Sequence, residues 1–234
     1  MISVFLFGLV MGVRHAFEAD HLAAVATLAT RARGPWSGLV QGAAWGLGHT
    51  LTLLLVGGTC LLLGAAVPER WAVRLELVVG FMLLALGVDT LLRMRRARIH
   101  AHVHEHEDGR AHWHVHRHET AAVHEDAAAH QHPHAGGAFP VRALAVGLVH
   151  GLAGSAALFL LTLQTVRSFW PGLAYIALFG IGSIVGMAGL SAVVVLPIRA
   201  ATERATRIQG VIEAVVGCST IAIGMRVIWS LLQG

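Results

Sequence analysis

Apolar residues dominate the chain in six long blocks, roughly residues 2–30, 36–66, 71–92, 141–166, 170–198 and 208–233, separated by shorter polar stretches. Each block exceeds the ~20 residues that a helix needs to cross the hydrocarbon core of a bilayer. A 234-residue chain with 56% hydrophobic residues, 13% charged residues and a mean hydropathy of +0.67 cannot hide that surface in a water-soluble domain. The pattern predicts an all-α membrane protein with six transmembrane helices. The first block lacks a short apolar core followed by a small-residue cleavage site, so it reads as a retained span rather than a removed signal.

The blocks repeat. Gly8-Leu9-Val10-Met11-Gly12-Val13 is matched by Gly147-Leu148-Val149-His150-Gly151-Leu152, and Trp45-Gly46-Leu47-Gly48-His49 by Phe179-Gly180-Ile181-Gly182-Ser183. Leu75-Glu76-Leu77-Val78-Val79-Gly80, with Gly87, is matched by Ile212-Glu213-Ala214-Val215-Val216-Gly217, with Gly224 at the same spacing. Two units of three helices must insert in opposite orientations, which predicts inverted repeats over residues 1–97 and 141–234 with a substrate site between them. The glycines provide small faces on which helices approach closely in lipid.

Charge sets an orientation. The chain has no lysine, and six crossings put Arg31, Arg33, Arg93, Arg95, Arg96, Arg98, Arg110, Arg117, Arg142, Arg199, Arg204 and Arg207 on one side. Arg70, Arg74 and Arg167 fall on the other. The arginine-rich side is expected in the cytoplasm of a cell whose inner or plasma membrane holds the protein, which leaves both termini outside. This topology accounts for a sequence pI near 10.4 without nucleic acid; the expected partners are the lipid bilayer and an ion. Cys60 and Cys218 lie in different blocks and are expected to stay unpaired.

Residues 98–140 differ in kind. Twelve of the 16 histidines lie between His100 and His134, alternating at His100, His102, His104 and His106 and again at His112, His114, His116 and His118. This cytoplasmic loop is expected to be a flexible, weak, multi-site metal-binding tract. Its period of two mimics a strand, for which a helical protein is expected to offer no partner.

The remaining histidines, His15, His21, His49 and His150, sit inside apolar blocks. His15, Glu18, Asp20 and His21 share one short window, and ionisable groups buried in a membrane mark a functional site. Imidazole and carboxylate are ligands for divalent transition metals, so His15, Glu18, Asp20, His21 and His49 form the candidate metal site. His150 and Ser155 are candidate pathway residues of the second half. At 100° per residue a straight helix cannot aim all four side chains of the window at one ion. Either the backbone breaks near Gly12 to Ala16, the preferred expectation, or a carboxylate holds an imidazole in place from behind.

The window Gly12-Val13-Arg14-His15-Ala16-Phe17-Glu18-Ala19-Asp20-His21-Leu22-Ala23-Ala24 resembles the signature helix of the nickel/cobalt permease family, and Leu47-Gly48-His49-Thr50 resembles that family's next helix. Gly147 to Ala157 is similar to the short urease-accessory branch of the superfamily, whose members supply nickel to cells. The resemblance implies ligation by His15, Asp20 and His21 with a contribution from His49, and nickel or cobalt as transported cargo rather than cofactor. The long histidine loop is more like that of efflux proteins in the superfamily. Uptake is the primary reading, with efflux, or a metal sensor or store, as alternatives. An enzyme is not expected: His15, Glu18 and His21 lack the i, i+4 histidine spacing of zinc hydrolases, and His150 and Ser155 stand about 140° apart on a helix.

Overall fold

The computed structural model describes residues 2–32, 34–65, 67–96, 99–105, 111–117, 140–165, 168–204 and 206–233. Side chains are described throughout these except at 2–5, 96, 99–105, 111–117, 154–165, 201–204 and 206–209.

Seven helices follow one another along the described chain: α1 (Ile2–His15), α2 (Ala19–Ala29), α3 (Pro35–Leu63), α4 (Glu69–Arg96), α5 (Val141–Thr165), α6 (Phe169–Arg204) and α7 (Thr206–Gln233). Four of them, α3, α4, α6 and α7, are long and apolar enough to cross a membrane. Large apolar side chains such as Leu55, Leu62, Val185 and Val193 face outward, as lipid contact demands. Trp36, Trp71, Trp170 and Trp229 are exposed near helix ends, where indole sits at a membrane–water boundary. The protein is thus a multi-pass membrane protein.

Local chemistry explains the ends. Pro35 opens α3, where its missing amide hydrogen costs nothing, and Gly64 closes it in the left-handed region at φ 60°. The first apolar block, expected as one span, is two helices. α1 stops at His15, tight turns link Phe17 N–H to Arg14 O and Glu18 N–H to His15 O, and Glu18 is extended at φ −66°, ψ 152° before α2 begins. The break falls at Ala16 to Glu18, overlapping the end of the Gly12–Ala16 stretch expected from the sequence and running two residues past it.

α3 packs mainly on α6 and α5, α1 on α6, and α4 on α7. Several glycines sit at close helix contacts, and these come in matched pairs. A Cβ on Gly12 would stand 2.0 Å from Phe179 O, and one on Gly147 would stand 2.0 Å from Trp45 O. At Gly182 it would meet Leu9 O at 2.1 Å, and at Gly48 it would meet Leu144 O at 2.3 Å. In α4 and α7, Gly80 lies against Gly224 and Gly87 against Gly217. The fully buried core is built around Trp45, Tyr175, Leu53, Leu83 and Met187.

The helices form two ends. At one, Arg31 and Arg142 converge with Arg93 on Asp89, with Arg142 Nη2 at 2.8 Å and Arg93 Nε at 3.4 Å from Asp89 Oδ2. This cluster ties the end of α2, the end of α4 and the start of α5. At the other lie the start of α4, the start of α6 and the end of α7. Cys60 and Cys218 are both free thiols, as expected.

The histidine tract corrects one expectation. Ile99–Glu105 (β1) and Ala111–Arg117 (β2) pair antiparallel, with His100 opposite His116, His102 opposite His114 and His104 opposite His112. The period-two pattern finds its partner in its own second half, which supplies a strand of equal length after a short connection. His106 and His118 lie outside the described residues.

Candidate metal site

The break between α1 and α2 is what assembles the site. With the backbone turned at Ala16 to Glu18, His15 at the end of α1 and His21 in the first turn of α2 bring their rings to 4.4 Å between centroids. α3 adds His49, with ring centroids 5.2 Å from His15 and 5.4 Å from His21. α5 adds His150, 4.1 Å from His21. Thus the four histidines outside the loop, spread over 136 positions of sequence from His15 to His150, form one cluster.

The cluster is dry. His21, His49 and His150 are each at most 1% exposed, an expensive position for imidazole unless something occupies its nitrogens. The two carboxylates occupy some of them. Glu18 Oε1 lies 3.0 Å from His15 Nδ1, and Asp20 Oδ1 lies 3.0 Å from His21 Nδ1 while also accepting the His21 backbone N–H at 2.9 Å. Asp20 Oδ2 lies 2.9 Å from His150 Nε2. A carboxylate accepts only from a protonated ring nitrogen, so these contacts put the proton of His15 and His21 on Nδ1 and leave Nε2 as a lone pair.

Those lone pairs have no partner among the described residues. His15 Nε2, His21 Nε2, both nitrogens of His49 and His150 Nδ1 are buried and unbonded. Ligand nitrogens of His15, His21 and His49 all lie within 4.8 Å of one another, as do ligand atoms of Asp20, His21 and His150. Nitrogen-to-ion distances of about 2.0–2.1 Å place ligand nitrogens roughly 3–4 Å apart, so small ring movements suffice to seat an ion. Imidazoles whose other nitrogen is held by a carboxylate are the arrangement that orients and strengthens metal ligands.

A cavity of about 510 Å³ leads to the cluster. It is lined by His15, Asp20, His21 and His150, and also by Arg14, Glu18, Glu76, Tyr175, Phe179 and Ser230. Glu76 from α4 and Ser230 from α7 place it on the side where α4 starts and α7 ends. The candidates His15, Glu18, Asp20, His21, His49 and His150 are therefore brought together. Ser155 lies in α5 among residues whose side chains are not described.

Several neighbours were not legible as site residues. Trp45 stacks on His21 at 5.4 Å, and Phe179 lies 5.3 Å from His15. The one available signal was spacing: Trp45 precedes His49 by one helical turn, and Phe179 occupies the corresponding place in the second half. Glu76 had been legible only as part of a repeat.

The chain is 32% identical over 231 residues to the urease accessory protein UreH of Bacillus sp. (strain TB-90), covering 99% of this chain and 92% of that one. No protein-family profile matches the chain, and no solved structure matches it.

Proposed function

Since the chain belongs to the family of the urease accessory protein UreH, we propose that it carries a divalent transition-metal ion, nickel or cobalt, across the membrane in the direction of uptake. The observation that carries this reading is the cluster of His15, His21 and His49, the last two buried, which offer ligand nitrogens within 4.8 Å of one another and each carry a ring nitrogen without a partner among the described residues. A urease accessory function fits a nickel cargo, and imidazole suits nickel, cobalt and zinc alike. His15, His21 and His49 are the ligands in this reading. Glu18 and Asp20 fix the tautomers of His15 and His21 and balance the cation's charge, which has few other counter-charges in an apolar surrounding. Asp20 also reaches His150, so an ion at the cluster acts on both halves of the chain.

The broken α1–α2 pair and the five helices after it make six crossings, arranged as two inverted repeats of three. The matched glycine approaches support this. Exchanging the halves carries the contact of Gly12 with Phe179 onto that of Gly147 with Trp45, and the contact of Gly182 with Leu9 onto that of Gly48 with Leu144. This register sets Gly12-Val13-Arg14-His15 against Gly147-Leu148-Val149-His150, one turn along from the match of Gly8 with Gly147 read in the sequence. His15 and His150 become counterparts, as do His49 and Ser183, a polar pair that is fully buried on both sides. Such a site at the interface of two inverted units is the usual seat of a substrate in secondary transporters. The end carrying Arg31, Arg93 and Arg142 faces the cytoplasm in this reading.

The test is flux of radiolabelled nickel into proteoliposomes holding the purified chain. Saturable uptake that His21→Ala removes supports the proposal; a wild type indistinguishable from empty liposomes refutes it.

A further inference from the structure

One acidic side chain in the cavity is not used by the site. Glu18 and Asp20 are both engaged by imidazoles, whereas Glu76 makes no hydrogen bond or ion pair among the described residues. It lies in the third turn of α4, about 10 Å from the start of a helix that crosses the membrane. An uncommitted carboxylate at that depth is costly and marks a path for cations. The cavity it lines is also lined by His21 and His150, each 1% exposed with an unpartnered ring nitrogen.

Glu76 has a counterpart in α7. Glu213 precedes Gly217 as Glu76 precedes Gly80, and the pairings of Gly80 with Gly224 and of Gly87 with Gly217 exchange when the two helices are exchanged. The two helices run antiparallel, so Glu213 stands near the opposite end of the pair. There it is only 4% exposed and within the electrostatic reach of Arg93. Equivalent positions thus have unequal surroundings: one carboxylate lines an open cavity and the other is covered. An inverted-repeat carrier produces this inequality whenever it is open to one side only, and its second state exchanges the two environments.

Building on the transport reading above, we propose that Glu76 and Glu213 are the receiving carboxylates of the two faces. Glu76 takes a hydrated divalent transition-metal ion from the side of the cavity and passes it to the histidines. Glu213 plays the same part on the arginine-rich side once this cavity has closed and its counterpart has opened. No covalent step is involved; water ligands are exchanged for carboxylate oxygen and then for imidazole nitrogen.

The test uses nickel alone, with right-side-out and inside-out membrane vesicles holding the full chain. Glu76→Gln should raise KM by about tenfold for nickel presented on the cavity side and leave KM on the opposite face unchanged, because the local attraction for a cation is lost. Glu213→Gln should do the reverse, and Glu76→Asp and Glu213→Asp should restore most of the loss. Equal KM changes from both faces, or none from either, would overturn the inference. Calorimetric binding of nickel to wild type and to His21→Ala in detergent separates the two failures. Binding that depends on His21, and wild-type flux, with KM unmoved by either glutamine, sinks the paired-carboxylate inference alone. A wild type without flux sinks the transport reading and this inference with it.

Discussion

Asp20 Oδ2 stands 2.9 Å from His150 Nε2, joining residues 130 positions apart and lying in the two halves of the chain. Its other oxygen is 3.0 Å from His21 Nδ1, so a single carboxylate sets the orientation of two imidazoles in the cluster. In the proposed reading, an ion that draws on His21 acts, through Asp20, on α5.

Substituting Asp20 separates positioning from ligation. Asp20→Asn keeps the shape but presents an amide, and should weaken nickel binding by about 10–100-fold, the usual cost of losing a ligand's hydrogen-bonding partner. Glu18→Gln should fall at the low end of that range, because Glu18 is 58% exposed and holds one imidazole only. Calorimetry on the purified variants measures both; equal affinities for Asp20→Asn and wild type would remove Asp20 from the site.

Deleting residues 100–134 should change the concentration dependence of nickel flux without abolishing it, because in the proposed reading the helices carry the pathway. The hairpin sets histidines opposite one another across β1 and β2, at His100 and His116, His102 and His114, and His104 and His112. Complete loss of flux in a deletion that still elutes as a folded protein would make the hairpin part of the core site.

Close glycine contacts give a stability prediction with an internal control. Gly12→Ala places a methyl 2.0 Å from Phe179 O, backbone that cannot swing away, and should cost about 3 kcal/mol or more. A Cβ on Gly189, in the same bundle, would meet nothing within 4 Å, so Gly189→Ala should leave the melting temperature unchanged or slightly raised. Thermal melting in detergent distinguishes these, and equal stability of both variants would contradict the packing.

Much of this was legible in the residues. Block lengths gave the helices, and the window from His15 to His21 gave the site's first half, because burying charge in an apolar run has few explanations. The angles along that window required either a break or a carboxylate behind an imidazole, and the structure has both. The exact place of the break was not legible: Ala16, Phe17 and Glu18 carry no glycine or proline, and the turn is held by tertiary contacts such as Ala16 against Gly186. His150 could not be joined to the cluster from sequence, since only packing of α5 on α3 brings it to Asp20. The hairpin was missed because each alternating run was weighed alone, without the other as its partner.

Orientation has its own check. A single cysteine at Gly234, in a Cys60→Ala, Cys218→Ala background, should react with an impermeant thiol reagent from outside intact cells, and one in the 100–134 tract should not. The opposite labelling would invert the topology.

The central claim is that His15, His21 and His49 hold the ion, and X-ray absorption at the nickel edge tests it most directly. On protein deleted for residues 100–134 and loaded with one equivalent of nickel, the account predicts a shell of nitrogen and oxygen with about three imidazoles at roughly 2.0–2.1 Å. That imidazole signal should drop in His49→Ala. A shell of oxygen without imidazole, or one unchanged by His49→Ala and His21→Ala alike, would contradict it.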